Sequence, residues 1–150
     1  MNDKKIAVIA QCETDGHAAI CPYLDAVDVP QGYEVELIEV PSGGSVADSY
    51  QRAMEQSDAK YKVYLSAGSI LLRLNFFEEM LCIFAKDPAI GIMGLIGTKQ
   101  LSTTGLIANS AVIHGRMLYT DDSAFRGENI EGDMEEVVVV SGDLIATQYD

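Results

Sequence analysis

A chain of 150 residues matches the size of one globular domain, and its 48% hydrophobic and 22% charged residues are ordinary for such a domain. No apolar run reaches the roughly 18 to 20 residues of a membrane span, and the N-terminal segment has no signal-peptide pattern, so we expect a cytoplasmic protein without membrane insertion. The formal net charge of −13, from 23 acidic and 10 basic residues, opposes binding to nucleic acid and anionic membranes.

The first predicted elements are a strand and a short helix. Residues 5–11, KIAVIAQ, form a nearly continuous apolar run, which is typical of a parallel strand covered on both faces. After this run, Thr14 or Asp15 is a suitable N-cap for a short, imperfect helix, in which Pro22 is tolerated only in the first turn. Residues 33–40 then alternate like a second strand, preceded by a turn at residues 30–32.

Two further helices flank a buried strand. Ser45 is a good N-cap for a helix, the segment KVYL at residues 62–65 is typical of a buried strand, and Asn75 is a suitable cap for a third helix. Residues 90–97 predict a fourth strand. Four strands that alternate with three helices indicate a parallel sheet with helices on its faces.

The C-terminal third changes character. The segments GLIANSAVIHGRMLYT and MEEVVVVSGDLIATQYD hold strand-like runs, separated by glycine and polar residues, without a helical pattern. No linker or internal repeat interrupts the chain. We therefore predict a single α/β domain over residues 1–150, with a Rossmann-like, mostly parallel central sheet and antiparallel C-terminal strands.

The cysteines give little evidence for disulfides or a metal site. There are three of them, without a CxxC pair, which argues against a disulfide framework. Cys12, His17 and Cys21 have spacings that soft metal ligands can adopt, but a fourth ligand is missing locally. The acidic pair Asp121 and Asp122 is most typical of a solvated loop. We prefer the structural interpretation, in which Cys12 ends a strand, His17 opens a helix and Cys21 packs inside, and predict no metal site.

Two segments fall at the predicted carboxyl edge of the sheet, where open α/β sheets bind ligands. The first is PSGGS at residues 41–45, between a strand and a helix N-terminus that can attract an anion. It lacks both glycine-rich phosphate motifs, so a capped glycine-rich connection is the alternative. In the second segment the strand KVYL is followed by Ser66, Ala67 and Gly68, which offer no charge.

Several segments resemble one family. The runs SYQRAMEQSDAKYKVYL, FAKDPAIGIMGLIGTK and DLIATQYD are similar, in the same order, to bacterial glycosyltransferase-like proteins related to inverting family 2 enzymes. This resemblance covers essentially the whole chain. It implies a GT-A-type, three-layer fold that binds a nucleotide-diphospho-sugar. In that family the ends of the first strands help to hold the nucleotide, and the matching residues here are Gln11, Cys12, Glu13, Ser42, Gly43, Gly44, Ser45, Ser66 and Gly68.

The chain departs from the family pattern at the residues that would bind the metal and at those that would supply the catalytic base. The strand that matches residues 63–65 normally runs into an acidic motif whose carboxylate binds Mn²⁺ or Mg²⁺, and here Gly68 stands at the ligand position. Near the end, the family's Asp-Gly pair is replaced by Ser141 and Gly142, with an acid displaced to Asp143. Relatives also continue beyond the equivalent of Asp150 into a segment that supplies the catalytic base. Asp143 and Asp150 are therefore only weak candidates for that base.

These departures favour a degenerate or incomplete glycosyltransferase-like domain, which binds a nucleotide-sugar without efficient transfer. One alternative is an active glycosyltransferase that moves a sugar from a nucleotide-sugar to an acceptor. Another is a non-enzymatic module that associates with itself, as a homodimer, or with a partner through unpaired strand edges.

Overall fold

The central strand of the protein is built from the first apolar run. In a computed structural model, which describes residues 1–13, 16–118, 124–126, 130, 132 and 134–149 (backbone alone at 118 and 124–126), strand β1 spans Asn2–Gln11. Its residues from Ile6 to Ala10 are almost fully buried. β1 pairs in parallel with β2 (Glu34–Val40) and β3 (Ala59–Leu65). The continuous apolar run therefore marks a strand with neighbours on both sides, as predicted.

The first helix is shorter than the sequence indicates. Helix α1 spans only Cys21–Leu24, with Pro22 in its first turn, while the predicted caps Thr14 and Asp15 lie outside the described residues. His17 does not open a helix, because the chain folds back there and Ala18 forms an isolated antiparallel bridge with Cys12. Cys21 does not pack fully inside either, since it is only partly buried. Cys12 follows the strand and is buried, as predicted.

The other two helices occur where the pattern predicts them, but only one has the expected cap. Helix α2 spans Val46–Gln56, and the Ser45 hydroxyl accepts a hydrogen bond from the Asp48 N–H at 3.2 Å. Helix α3 spans Phe76–Lys86 and begins after Asn75, whose side chain makes no capping bond. Instead, the Asn75 side-chain amide donates to Glu79 Oε1 at 2.9 Å. Asn75 therefore occupies the predicted N-cap position, but its side-chain oxygen makes no capping bond and its amide donates to a carboxylate one turn ahead.

The predicted strand at residues 90–97 is two strands that belong to different sheets. β4 spans Ile92–Gly94 and β5 spans Ile96–Thr98. A Cβ atom on Gly97 would lie 2.7 Å from both the Val137 side chain and the Val139 carbonyl. The missing side chain therefore lets β5 approach residues 137–139 closely, and the chain changes sheets at Leu95.

The C-terminal third contains strands in both predicted segments, namely β6 (His114–Leu118) in the first and β8 (Val139–Val140) and β9 (Leu144–Thr147) in the second. A further strand, β7 (Ala124–Arg126), lies between these segments and was not predicted, and the described part of this region also has a single 3-10 turn at Ile107–Asn109. The larger sheet has the order β2-β1-β3-β9-β4, and the smaller has the order β7-β6-β5-β8 with antiparallel pairs. The α/β class, with a mostly parallel sheet and antiparallel C-terminal strands, is confirmed.

The chain divides into two compact units, one of Met1–Ile92 with Ala146–Asp150 and one of Met93–Ile145. In the first unit, Tyr61 and Tyr64 of β3 are buried, and the α2 side chain of Tyr50 donates its hydroxyl proton to the Leu65 carbonyl at 2.8 Å. The description of one domain over residues 1–150 stays a prediction. Within the described residues, no helix is long and apolar enough to cross a membrane.

Candidate functional site

The segment after β1 folds back over the carboxyl edge of the sheet. The Cys12 N–H donates to the Val40 carbonyl at 2.8 Å, so the chain leaving β1 stays beside the end of β2. The Glu13 N–H then donates to the His17 carbonyl at 2.8 Å, which closes a tight loop. As a result, the exposed Glu13 side chain lies at the edge where β1 and β2 end.

A groove of about 390 Å³ lies at this edge. Four of its lining residues are among those that the sequence predicts for nucleotide binding, namely Cys12, Glu13, Ser42 and Gly43. The lining also includes Gly16, Pro41 and Glu39. Sequence reasoning missed Glu39, although its position as the penultimate residue of a strand that points at a ligand edge is a usable signal.

The end of β3 joins the same edge. The Ala67 N–H donates to the Gln11 side-chain oxygen at 3.3 Å, and a Cβ atom on Gly68 would lie 3.6 Å from Glu13 Oε1. The Ser66 hydroxyl is 2.9 Å from the Ser69 hydroxyl, with which it shares a hydrogen bond. The structure thus brings the predicted residues of β1 and β3 together, although Gly68 contributes only backbone.

The remaining predicted residues shape the connection to α2. Gly44 adopts φ +89°, a conformation that favours glycine, and Ser45 uses its hydroxyl to cap the helix. Neither residue is among those that line the groove. Their positions fit the capped glycine-rich connection that the sequence offers as the alternative to an anion site.

The groove is negatively charged. Glu13 and Glu39 both line it, and its lining contains no lysine or arginine. Hydrogen bonds from the Ala18 N–H and the Cys21 thiol lower the pKa of Glu39, so its carboxylate is ionised at neutral pH. Arg73, the cation nearest in sequence to residues 66–68, is exposed and pairs with Glu79 at 3.1 Å. The two carboxylates therefore weaken the attraction of the groove for a diphosphate.

The described residues do not fit the divalent cation that the family resemblance implies. Mn²⁺ and Mg²⁺ prefer several oxygen ligands, whereas at the Gly68 position the nearby carboxylate is that of Glu13. No group of three or more His, Cys, Asp or Glu side chains in the described ranges could hold a metal. Cys12, His17 and Cys21 likewise form no such group, and the Cys21 thiol donates to Glu39 instead.

A second cavity, of about 530 Å³, lies over the loop after β1. It is lined by Glu13 and by the segment that leads into α1, namely His17, Ala18, Ala19, Cys21, Pro22 and Tyr23. This cavity was not predicted, because the loop has no recognisable motif and its return toward Cys12 is visible only in the structure. Glu13 lines both cavities.

Two residues are weak candidates for a catalytic base. Asp143 belongs to the unit of residues 93–145, where its carboxylate accepts a hydrogen bond from the Ser141 hydroxyl. Asp150 lies outside the described residues. Both assignments stay predictions.

A family model described as a glycosyltransferase-like family matches residues 7–150. A search of the curated proteins found no match.

Proposed function

The chain belongs to a glycosyltransferase-like family, and from this premise we propose that it is a GT-A-type domain that binds a nucleotide-diphospho-sugar at the carboxyl edge of its parallel sheet, without efficient transfer. In this proposal the ends of β1, β2 and β3 hold the nucleotide. In this proposal the chain retains the nucleotide-binding edge but lacks the metal-binding carboxylate that would help to activate the nucleotide-sugar donor.

The observation that carries the proposal is the end of β3. Ala67 and Gly68 lie against Gln11 and Glu13, at the edge that carries the groove, which supports a place for this segment in the site. This segment presents the Ser66 hydroxyl and backbone groups at the position where the family pattern has a metal-binding carboxylate. Retained geometry without the reactive group supports binding without efficient transfer.

Magnitudes support the loss of transfer. A leaving nucleoside diphosphate carries about three negative charges, and each contact with a cation at about 4 Å is worth roughly 1 to 4 kcal/mol. The exposed N-terminus of a helix such as α2 contributes only about 0.3 to 1 kcal/mol. The connection at residues 41–45 therefore cannot replace a divalent ion, and Glu13 and Glu39 oppose the developing charge.

Calorimetric titration tests the proposal. The wild-type chain is titrated with UDP, with UDP-sugars and with other nucleoside diphosphates, each with and without Mn²⁺. We expect weak binding of at least one nucleotide, with an affinity that Mn²⁺ leaves unchanged. Metal-dependent micromolar binding would contradict the loss of the metal site, and the absence of binding to every nucleotide would remove nucleotide recognition.

A second candidate function is active transfer. It is favoured by the Glu13 carboxylate, which lies at the same edge as Gly68 and is the kind of group that an inverting transfer uses to deprotonate an acceptor hydroxyl. Release of free sugar or nucleotide from UDP-sugars, compared between wild type and Glu13→Gln, distinguishes the two functions. Turnover that disappears in Glu13→Gln supports transfer, whereas no turnover in wild type supports the degenerate domain.

A further inference from the structure

A single carboxylate oxygen connects β2 to the loop after β1. Glu39 Oε1 accepts hydrogen bonds from the Ala18 N–H at 2.9 Å and from the Cys21 thiol at 3.2 Å. His17 Nδ1 lies 3.8 Å from the same oxygen. Residues 17–21 are therefore fixed to the end of β2 at two points, with a third polar group close by.

The location of this contact matters for the cavities on either side. His17, Ala18 and Cys21 line the cavity of about 530 Å³, whereas Glu39 itself lines the groove of about 390 Å³. Residues 17–21 thus form part of the wall of the larger cavity. Glu39, which is bonded to them, forms part of the wall of the smaller groove. Movement of residues 17–21 away from β2 would change the shape of both.

The loop depends on this support because of burial. Ala18 is only 3% exposed, so its N–H has little access to water if the carboxylate is removed. A buried donor left without a partner costs about 1 to 3 kcal/mol, and a bond to a charged acceptor is stronger than one to a neutral acceptor. The loop would relieve that cost by moving outward.

We propose that Glu39 is a positioning residue, which holds residues 17–21 in place through Ala18 and Cys21 and thereby sets the shape of the ligand site. Its carboxylate acts on the loop and not on the ligand. This inference rests on the proposed function for its effect on nucleotide binding, while its effect on the loop is independent of any ligand.

The first experiment measures the loop alone. Amide hydrogen exchange at Ala18 is followed by NMR in wild type, Glu39→Ala, Glu39→Gln and the matched control Glu34→Gln, which removes a charge from the same strand. We expect exchange at Ala18 to be at least about tenfold faster in Glu39→Ala. Glu39→Gln retains an acceptor oxygen and should stay within a few-fold of wild type, as should the control. Unchanged exchange in Glu39→Ala would contradict the proposal.

A second readout keeps the test decisive if Glu39→Ala does not fold. Burial and the hydrogen bond to Glu39 raise the pKa of the Cys21 thiol. In Glu39→Gln the negative neighbour is gone, so Cys21 should react faster with a thiol reagent at mildly alkaline pH, in a Cys82→Ser background that removes the exposed cysteine. An unchanged rate in a folded Glu39→Gln variant would show that the thiol does not bond to the carboxylate, and would remove one of the two bonds on which the proposal rests.

The third measurement is the affinity for UDP by calorimetry. We expect Glu39→Ala to weaken binding about tenfold, and Glu39→Gln to bind at least as tightly as wild type, because it keeps the loop in place and removes a negative charge from the groove. Equal weakening in both variants, with Ala18 still protected in Glu39→Gln, would mean that Glu39 contacts the ligand and would overturn the positioning role. If wild type binds no nucleotide, the proposed function fails, and the exchange and thiol data still decide the role of Glu39.

Discussion

Position 68 combines a constrained backbone with available space. Gly68 adopts φ +80°, a conformation in which an L side chain is strained. A Cβ atom there would make only an ordinary contact with Glu13 Oε1 at 3.6 Å. Conformation, and not volume, is therefore the obstacle to a side chain at this position.

Two substitutions at Gly68 separate conformation from charge. Gly68→Ala should lower the free energy of unfolding by about 1 to 2 kcal/mol. Gly68→Asp should lower it further at low ionic strength, because the new carboxylate faces Glu13, and Mn²⁺ should recover part of that additional loss. Urea unfolding with and without Mn²⁺ measures both effects. Stabilisation of the wild type or of Gly68→Ala by Mn²⁺ would contradict the absence of a metal site.

At the scale of elements, Lys5 on β1 forms ion pairs with β2 and with the residue before β3. Its Nζ lies 2.9 Å from Glu36 Oε2 on β2 and 2.9 Å from Asp58 Oδ1 just before β3. The hydrogen bond from Lys5 lowers the pKa of Asp58, and the same two carboxylates raise the pKa of Lys5. The ion pairs are at the surface, so solvent limits their contribution.

The pH dependence of this cluster has a definite sign. Because the pKa of Asp58 is lower in the folded than in the unfolded state, its stabilising contribution is present above the ordinary Asp value of about 3.9 and is lost as the pH falls through the lowered value. We expect Lys5→Gln to be less stable than wild type at neutral pH. The difference in the free energy of unfolding should shrink toward acid pH, while Lys4→Gln serves as a charge-matched control. A difference that persists unchanged in acid would contradict the assignment.

The cap of α2 allows a structural role to be separated from a binding role. Ser45→Ala removes the acceptor of the Asp48 N–H and should cost about 1 kcal/mol of stability. Ser42→Ala, in the same connection and at the groove, should leave stability nearly unchanged. Thermal unfolding and UDP titration of both variants provide the test. If Ser45→Ala alone weakens UDP binding while stability is unchanged, Ser45 is a ligand contact and not a cap.

Local patterns predicted most elements, and long-range contacts account for the errors. The apolar run of β1 and the cap at Ser45 are encoded in adjacent residues, so the sequence alone reveals them. The division of residues 90–97 depends on how closely Gly97 approaches residues 137–139, some forty positions away in sequence. Asn75 stands at the predicted N-cap position, yet its side-chain amide donates to Glu79 and its oxygen makes no capping bond. Such choices between partners are absent from a single-sequence pattern.

At the scale of the whole molecule, the net charge of −13 is the main electrostatic feature. Long-range repulsion among excess carboxylates opposes the compact state, and added salt screens it. We expect the free energy of unfolding to rise between about 10 mM and about 200 mM NaCl, where the Debye length falls from roughly 30 Å to below 10 Å. Urea unfolding at several salt concentrations measures this. Stability that falls with salt would show that specific ion pairs outweigh the repulsion.

Self-association and the cellular compartment stay predictions.

The candidate site was partly predictable from the sequence. The family resemblance implied Gln11, Glu13 and Ser42, and the rule that parallel strands end at one edge of a sheet pointed independently to residues 41–45 and 66–68. Glu39 and the loop cavity were missed, because their roles arise only when residues 17–21 fold back to β2. Side chains that act through other residues leave no motif of their own.

The conformation of Gly68 also bears on the evolutionary history of the chain. If an ancestor carried a carboxylate at this position, its loss released both the repulsion from Glu13 and the need for a backbone conformation that suits a side chain. A later return to Asp by a single mutation would meet a turn that had meanwhile settled at φ +80°. Recovery of the carboxylate would then need a change in this turn as well as a change of the side chain.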